Sequence, residues 1–148
     1  MAYHVEIDPA NGEYDDLLRD VAVRTLAAEG VQGAAELSIL LSDDTRVREL
    51  NRAYRHIDAT TDVLSFAQAE GEIFAQPEGA RTHLGDVVIS LDTARRQARD
   101  HDIALSDELA HLLVHGVLHL LGYDHERQSD AAVMRAQEDA VLGEAHHH

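Results

Sequence analysis

The stretch 106–125 constrains this chain more than any other. Leu109, Leu112, Leu113, Val114, Leu118, Leu120 and Leu121 leave almost no polar face, so a helix here must run through the centre of the fold. Into that apolar surface the sequence sets His111, His115 and His119, and then His125, three residues past Gly122. His115 and His119 are one turn apart on a single face, about 6 Å along the axis. Burying two imidazoles among leucines is costly unless both find partners. A shared transition-metal ion meets that need, and Gly122 lets the chain turn back to bring His125 in as a third nitrogen. Three protein ligands leave one tetrahedral position open, the position where catalytic zinc sites hold water.

His111 does not belong to that ligand set. It lies eight residues before His119, roughly 12 Å of helical rise, whereas nitrogens bound to one zinc are at most about 4 Å apart. It reads as a supporting or structural histidine. Zinc suits three imidazoles, although nickel, cobalt and copper bind the same nitrogens. The chain has no cysteine, which removes thiolate sites and disulfides alike. Asp124 and Glu126 flank the third ligand and read as solvated charges. The spacing is close to the H-E-x-x-H-x-x-G-x-x-H zinc proteases, but Gly116 stands where those enzymes carry their glutamate base. Without that carboxylate, peptide hydrolysis by their route lacks a proton acceptor.

The remaining 148-residue sequence bounds what surrounds this helix. Its length and 45% hydrophobic content suit one domain, expected over residues 1–145, with His146-His147-His148 reading as the remnant of a purification tag. Net charge is −16 and every basic residue is arginine, which argues against binding nucleic acid through a general positive field. The first residues lack the basic flank and apolar run of a signal peptide, and no stretch is long enough to cross a bilayer. A soluble, cytoplasmic protein without membrane partners is expected.

Periodicity places strands at 3–7, 36–41, 63–67 and 86–90. Helices are expected over 14–28, from a Ser42 or Asp43 cap to 54, over 92–101, from a Ser106 cap to 121, and over 129–142. The fold class is therefore α+β: a mixed sheet of about four strands packed with about five helices, with the metal site on the central buried helix. In the second helix Arg48, Arg52 and Arg55 share a face, and a guanidinium near the metal would clamp a phosphate bidentately. Arg48 reads as solvated, as do Arg95, Arg96 and Arg99; His56, His83 and His101 lack a spacing partner.

The run His115-Gly-Val-Leu-His119-Leu-Leu-Gly-Tyr-Asp-His125 resembles throughout the H-G-x-L-H-L-x-G-Y-D-H signature of the YbeY family of bacterial rRNA-maturation endoribonucleases. Leu50-Asn-Arg-Ala-Tyr54-Arg55, Thr61-Asp62-Val-Leu-Ser-Phe66 and Leu84-Gly85-Asp86-Val-Val-Ile89 agree with it as well. Ala59-Thr60 and Ala67 stand where the family usually has prolines, which loosens the backbone there without removing a chemical group. The resemblance implies one zinc per chain on His115, His119 and His125, and a functional arginine at Arg55. It also implies cleavage of single-stranded RNA in 16S rRNA 3′-end maturation and ribosome quality control, with ribosomal partners and no DNA substrate. Two alternatives use the same residues: a metallohydrolase of a peptide or small ester, and a non-enzymatic ribosome-assembly factor whose zinc is structural.

Overall fold

The computed structural model describes residues 3–9, 12–31, 34–67 and 82–122, together with Ala136 and Val141. In chain order the elements are β1 (His4–Asp8), α1 (Asp15–Ala28), β2 (Ala35–Ser42), α2 (Asp44–Arg55), β3 (Val63–Ala67), β4 (Thr82–Ser90), α3 (Leu91–Asp100) and α4 (Leu105–Leu120). The four strands form one sheet in the order β1-β2-β4-β3. β1, β2 and β4 run parallel, and β3 joins the margin antiparallel to β4. This is the expected α+β arrangement with a mixed four-stranded sheet. The helix expected over 129–142 lies outside the described residues, apart from Ala136 and Val141, both helical.

Strand alternation gives the sheet two unlike faces. Val5, Ile7, Leu37, Ile39, Val87 and Ile89 point to one side, where α1 and α4 close over them with Leu18, Val21, Leu26, Leu109, Leu113 and Val117. A leucine buried to this degree contributes about 1.5–3 kcal/mol, so this side holds most of the hydrophobic stabilisation. The other side carries a smaller cluster, in which Val47 of α2 packs with Leu64 and Val88. α4 is the central buried helix, with nine of its residues buried.

Three local expectations meet the coordinates differently. Asp43 caps α2, its side chain accepting a hydrogen bond from the Arg46 N–H at 2.8 Å. Ser106 does not cap α4. Asp102 takes a left-handed conformation (φ 54°) just after α3, and the extended Ala104 then leads straight into the helix. The N–H groups of Asp107 and Glu108 already bond the Ala104 carbonyl, at 3.1 and 3.2 Å, which puts Ser106 inside the first turn. β4 begins at Thr82 rather than at residue 86. Gly85 looked like a boundary, but the strand runs through it with a register shift opposite Glu36 and Leu37.

Candidate active site

The closeness of α4 to the sheet sets everything else. Gly116 is buried against β3 and β4, and a Cβ built on it would lie 2.7 Å from Val87 Cγ1 and 3.2 Å from Ser65 Oγ. Only a hydrogen fits there. Ser65 Oγ donates to the Gly116 carbonyl at 2.8 Å, tying the helix to β3 at the same level.

His115 and His119 flank that contact. Their Nε2 atoms are 3.1 Å apart, with ring centroids 4.6 Å apart and planes at 71°. Two nitrogens bound at about 2.05 Å to one tetrahedral ion would be about 3.3 Å apart, so this donor pair fits a shared cation. The same separation suits an N–H···N hydrogen bond between neutral rings, in which the tautomers decide which nitrogen donates. Gly122 has φ +106°, a conformation L side chains rarely adopt, and its N–H bonds the His119 carbonyl at 3.1 Å. α4 therefore ends in a glycine turn at Gly122. His125, Asp124 and Glu126 lie outside the described residues. Among the described residues no three His, Asp or Glu donors are grouped to hold a metal.

A cavity of about 540 Å³ opens beside His115, between α3, α4 and the start of β3. It is lined by Asp62, Gln97, His101, Glu108, His111 and His115. His111 thus shares a cavity with His115. The carboxylates of Asp62 and Glu108 were not singled out from the sequence. Glu108 had a signal: it precedes His111 by three residues and His115 by seven, the spacing of one helical face. It is 5% exposed, which is rare for a glutamate. Asp62 accepts the Val63 N–H at 2.7 Å and faces Gln97 Nε2 at 3.4 Å, contacts that bridge β3 and α3.

Arg55 ends α2. Its Nη2 donates to the Ser65 carbonyl at 2.5 Å, and its guanidinium carbon lies 5.0 Å from the centroid of the Phe66 ring. Ser65 therefore holds Arg55 through its carbonyl and α4 through its hydroxyl, which brings the arginine and the histidine helix to one residue. Arg48 is paired with Asp58 at 2.8 Å, and that hydrogen bond holds the Asp58 carboxyl below its ordinary value. Arg52, Arg95 and Arg99 are exposed. His56 closes α2 in the left-handed conformation, and His83 sits 3.7 Å from Asp86.

The other end of α2 is fixed by Asp44. Its Oδ1 accepts hydrogen bonds from Ser90 Oγ and Thr93 Oγ1, both at 2.6 Å, and from Thr60 Oγ1 at 3.2 Å. Its Oδ2 lies 2.9 Å from Arg96 Nη1. Partial burial pushes this carboxyl up, but the bonds from Ser90, Thr93 and Arg96 outweigh it and hold the group well below the usual carboxylate range. Arg96, read from the sequence as solvated, is thus exposed but paired with Asp44.

Residues 3–146 match the family model described as Endoribonuclease YbeY. Proteins named Endoribonuclease YbeY are similar to this chain in several bacteria. The one from Pelotomaculum thermopropionicum is 51% identical over 86% of this chain and 83% of its own length. The one from Roseiflexus castenholzii is 49% identical over 86% and 80%, and the one from Moorella thermoacetica 49% identical over 90% and 88%. The solution structure of TM1509 from Thermotoga maritima has a similar fold, with a TM-score of 0.60 at 22% identity over 97% of this chain and 91% of that one. This chain belongs to the YbeY family.

Proposed function

We propose that this chain is a zinc-dependent endoribonuclease that cuts single-stranded RNA during rRNA processing, at the 3′ end of 16S rRNA, and in ribosome quality control. The observation that carries the reading is the approach of His115 and His119 Nε2 to 3.1 Å on a helix whose sequence continues into a third histidine. In this reading His115, His119 and His125 hold one zinc ion. When bound, such an ion polarises a phosphoryl oxygen and acidifies water.

The protein's own groups do the rest. The Ser65 carbonyl accepts from Arg55 Nη2, a bond that sets the plane of a guanidinium whose fork geometry suits phosphate oxygens. A fixed guanidinium at the scissile phosphate offsets the charge that grows in the transition state. Asp62 and Glu108 line the cavity beside His115 and are the carboxylates positioned to exchange a proton there. With a net charge of −16, the chain gains little from long-range attraction to RNA, so its substrate is presented by the ribosome or by a basic ribosomal partner.

The test measures bound metal by elemental analysis of tag-free protein, and cleavage of a single-stranded RNA with and without chelator. Wild type should carry about one zinc per chain and lose cleavage on chelation. His119→Ala should lose both metal and cleavage, whereas Arg55→Ala should keep the metal and cut at least about 100-fold more slowly. Equal cleavage by all three proteins would sink the proposal.

A further inference from the structure

The inner stripe of α2 is Val47, Leu50, Asn51 and Tyr54, spaced i, i+3, i+4 and i+7. Its burial falls away along the helix. Val47 is fully buried and Asn51 is 5% exposed, but Tyr54 is 65% exposed, one of two large apolar side chains so open among the described residues. Tyr54 is nonetheless held in place. The helix closes immediately after Arg55 with His56 at φ 61°, and the Ile57 N–H bonds back to the Asn51 carbonyl at 3.2 Å. The Asn51 side-chain amide donates to the Ala59 carbonyl at 2.9 Å, which pins the segment that follows. The Tyr54 ring meets Phe66 edge to face at 5.5 Å, while Arg55 sits over the Phe66 ring.

A fixed aromatic ring with an open face beside a guanidinium is the arrangement on which unpaired bases stack. The surroundings sort base from phosphate. Tyr54 and Phe66 border a groove of about 1120 Å³ over the sheet face that α2 only partly covers, and its charged lining is Glu6, Asp8 and Asp86 with Arg19 and Arg46. Both arginines are ion-paired to carboxylates outside the groove, Arg19 to Asp15 at 3.6 Å and Arg46 to Glu49 at 3.7 Å, so the surplus of negative charge disfavours a phosphate more than a neutral base. Arg55, which sits over the Phe66 ring, is the arginine assigned to the scissile phosphate.

We propose that Tyr54, backed by Phe66, is a stacking seat for one base of a single-stranded RNA, next to the nucleotide whose phosphate Arg55 holds. This rests on the endoribonuclease reading above and adds a substrate subsite that orders the strand where Ser65 of β3 joins α2 to α4. The stack is blind to base identity, so it favours unpaired over paired RNA without selecting a sequence.

The chain has no tryptophan, so Tyr54→Trp reports on this position alone. The probes are a short 2′-O-methyl oligoribonucleotide and its abasic counterpart of equal charge, which separate base contacts from backbone contacts. The base-bearing strand should quench Trp emission at saturation, and the abasic strand should not. Tyr54→Ala should bind the base-bearing strand about tenfold more weakly, with the abasic strand unaffected and Tyr54→Phe restoring affinity. Because Tyr54 is exposed, these variants should melt with wild type. Unchanged affinity in Tyr54→Ala, or an equal loss for both strands, overturns the subsite while leaving the nuclease reading intact. Wild type that neither binds nor cuts single-stranded RNA overturns both.

Discussion

The two helices that carry the proposed chemistry are held in opposite ways. α4 presents His115 and His119 from a surface that is apolar on nearly every side, with Gly116 seated directly on Val87. α2 presents Arg55 from a helix whose only two buried residues are Val47 and Asn51, and its far end is moored by hydrogen bonds to Asp44. Dense packing fixes a helix along its whole length and tolerates little volume change. A polar mooring at one end leaves the other end exposed to meet a ligand. The metal-binding candidates thus sit on the rigid helix, and the substrate-binding ones on the helix with an open end.

Three substitutions probe that contrast. The largest effect is expected from Gly116→Val, which drives methyl groups into Val87 and should destabilise by about 1–3 kcal/mol, read as a lower urea midpoint, and should slow cleavage by shifting the histidines. Asp44→Asn comes next, at about 1–2 kcal/mol, because the hydroxyl and guanidinium donors lose a charged acceptor. A larger loss from Asp44→Asn than from Gly116→Val would reverse the ranking of the two supports. The Asp44 substitution also carries a pH signature. The folded-state pKa of Asp44 is depressed, so its stabilisation is fully present above the unfolded value near 4 and is lost as pH falls below it. Wild type should therefore lose more stability than Asp44→Asn between pH 6 and pH 3, measured as the shift in urea midpoint. Smallest is Arg48→Ala: both side chains of the Arg48–Asp58 pair are exposed, and its removal should leave the midpoint unchanged at physiological salt.

What the sequence revealed and what it hid follow the range of each interaction. The His115 and His119 pair, the Asp43 cap and the turn at Gly122 depend on residues within a few positions of each other, and periodicity or a single residue type exposes them. The Asp44 cluster does not announce itself, because Ser90 and Thr93 are 46 and 49 residues away and nothing local to Asp44 predicts them. The same holds for Arg55 on the Ser65 carbonyl and for the antiparallel placement of β3, which depend on how distant segments meet. Ser106 misled for a different reason. A good capping residue was present, but the left-handed Asp102 started the helix before it. Glu108 is legible by spacing, since it shares a helical face with His111 and His115.

The hydrogen on Gly116 has one more consequence, for descent and for design. Glycine and glutamate codons can differ by a single base, so the step from this histidine set to the zinc-protease signature looks short on paper. The wall of the sheet blocks it, since a carboxylate at 116 would have to occupy the space of Val87 and Ser65. Any lineage or engineer attempting that conversion must first hollow out β4. Volume, more than base substitution, separates the two chemistries.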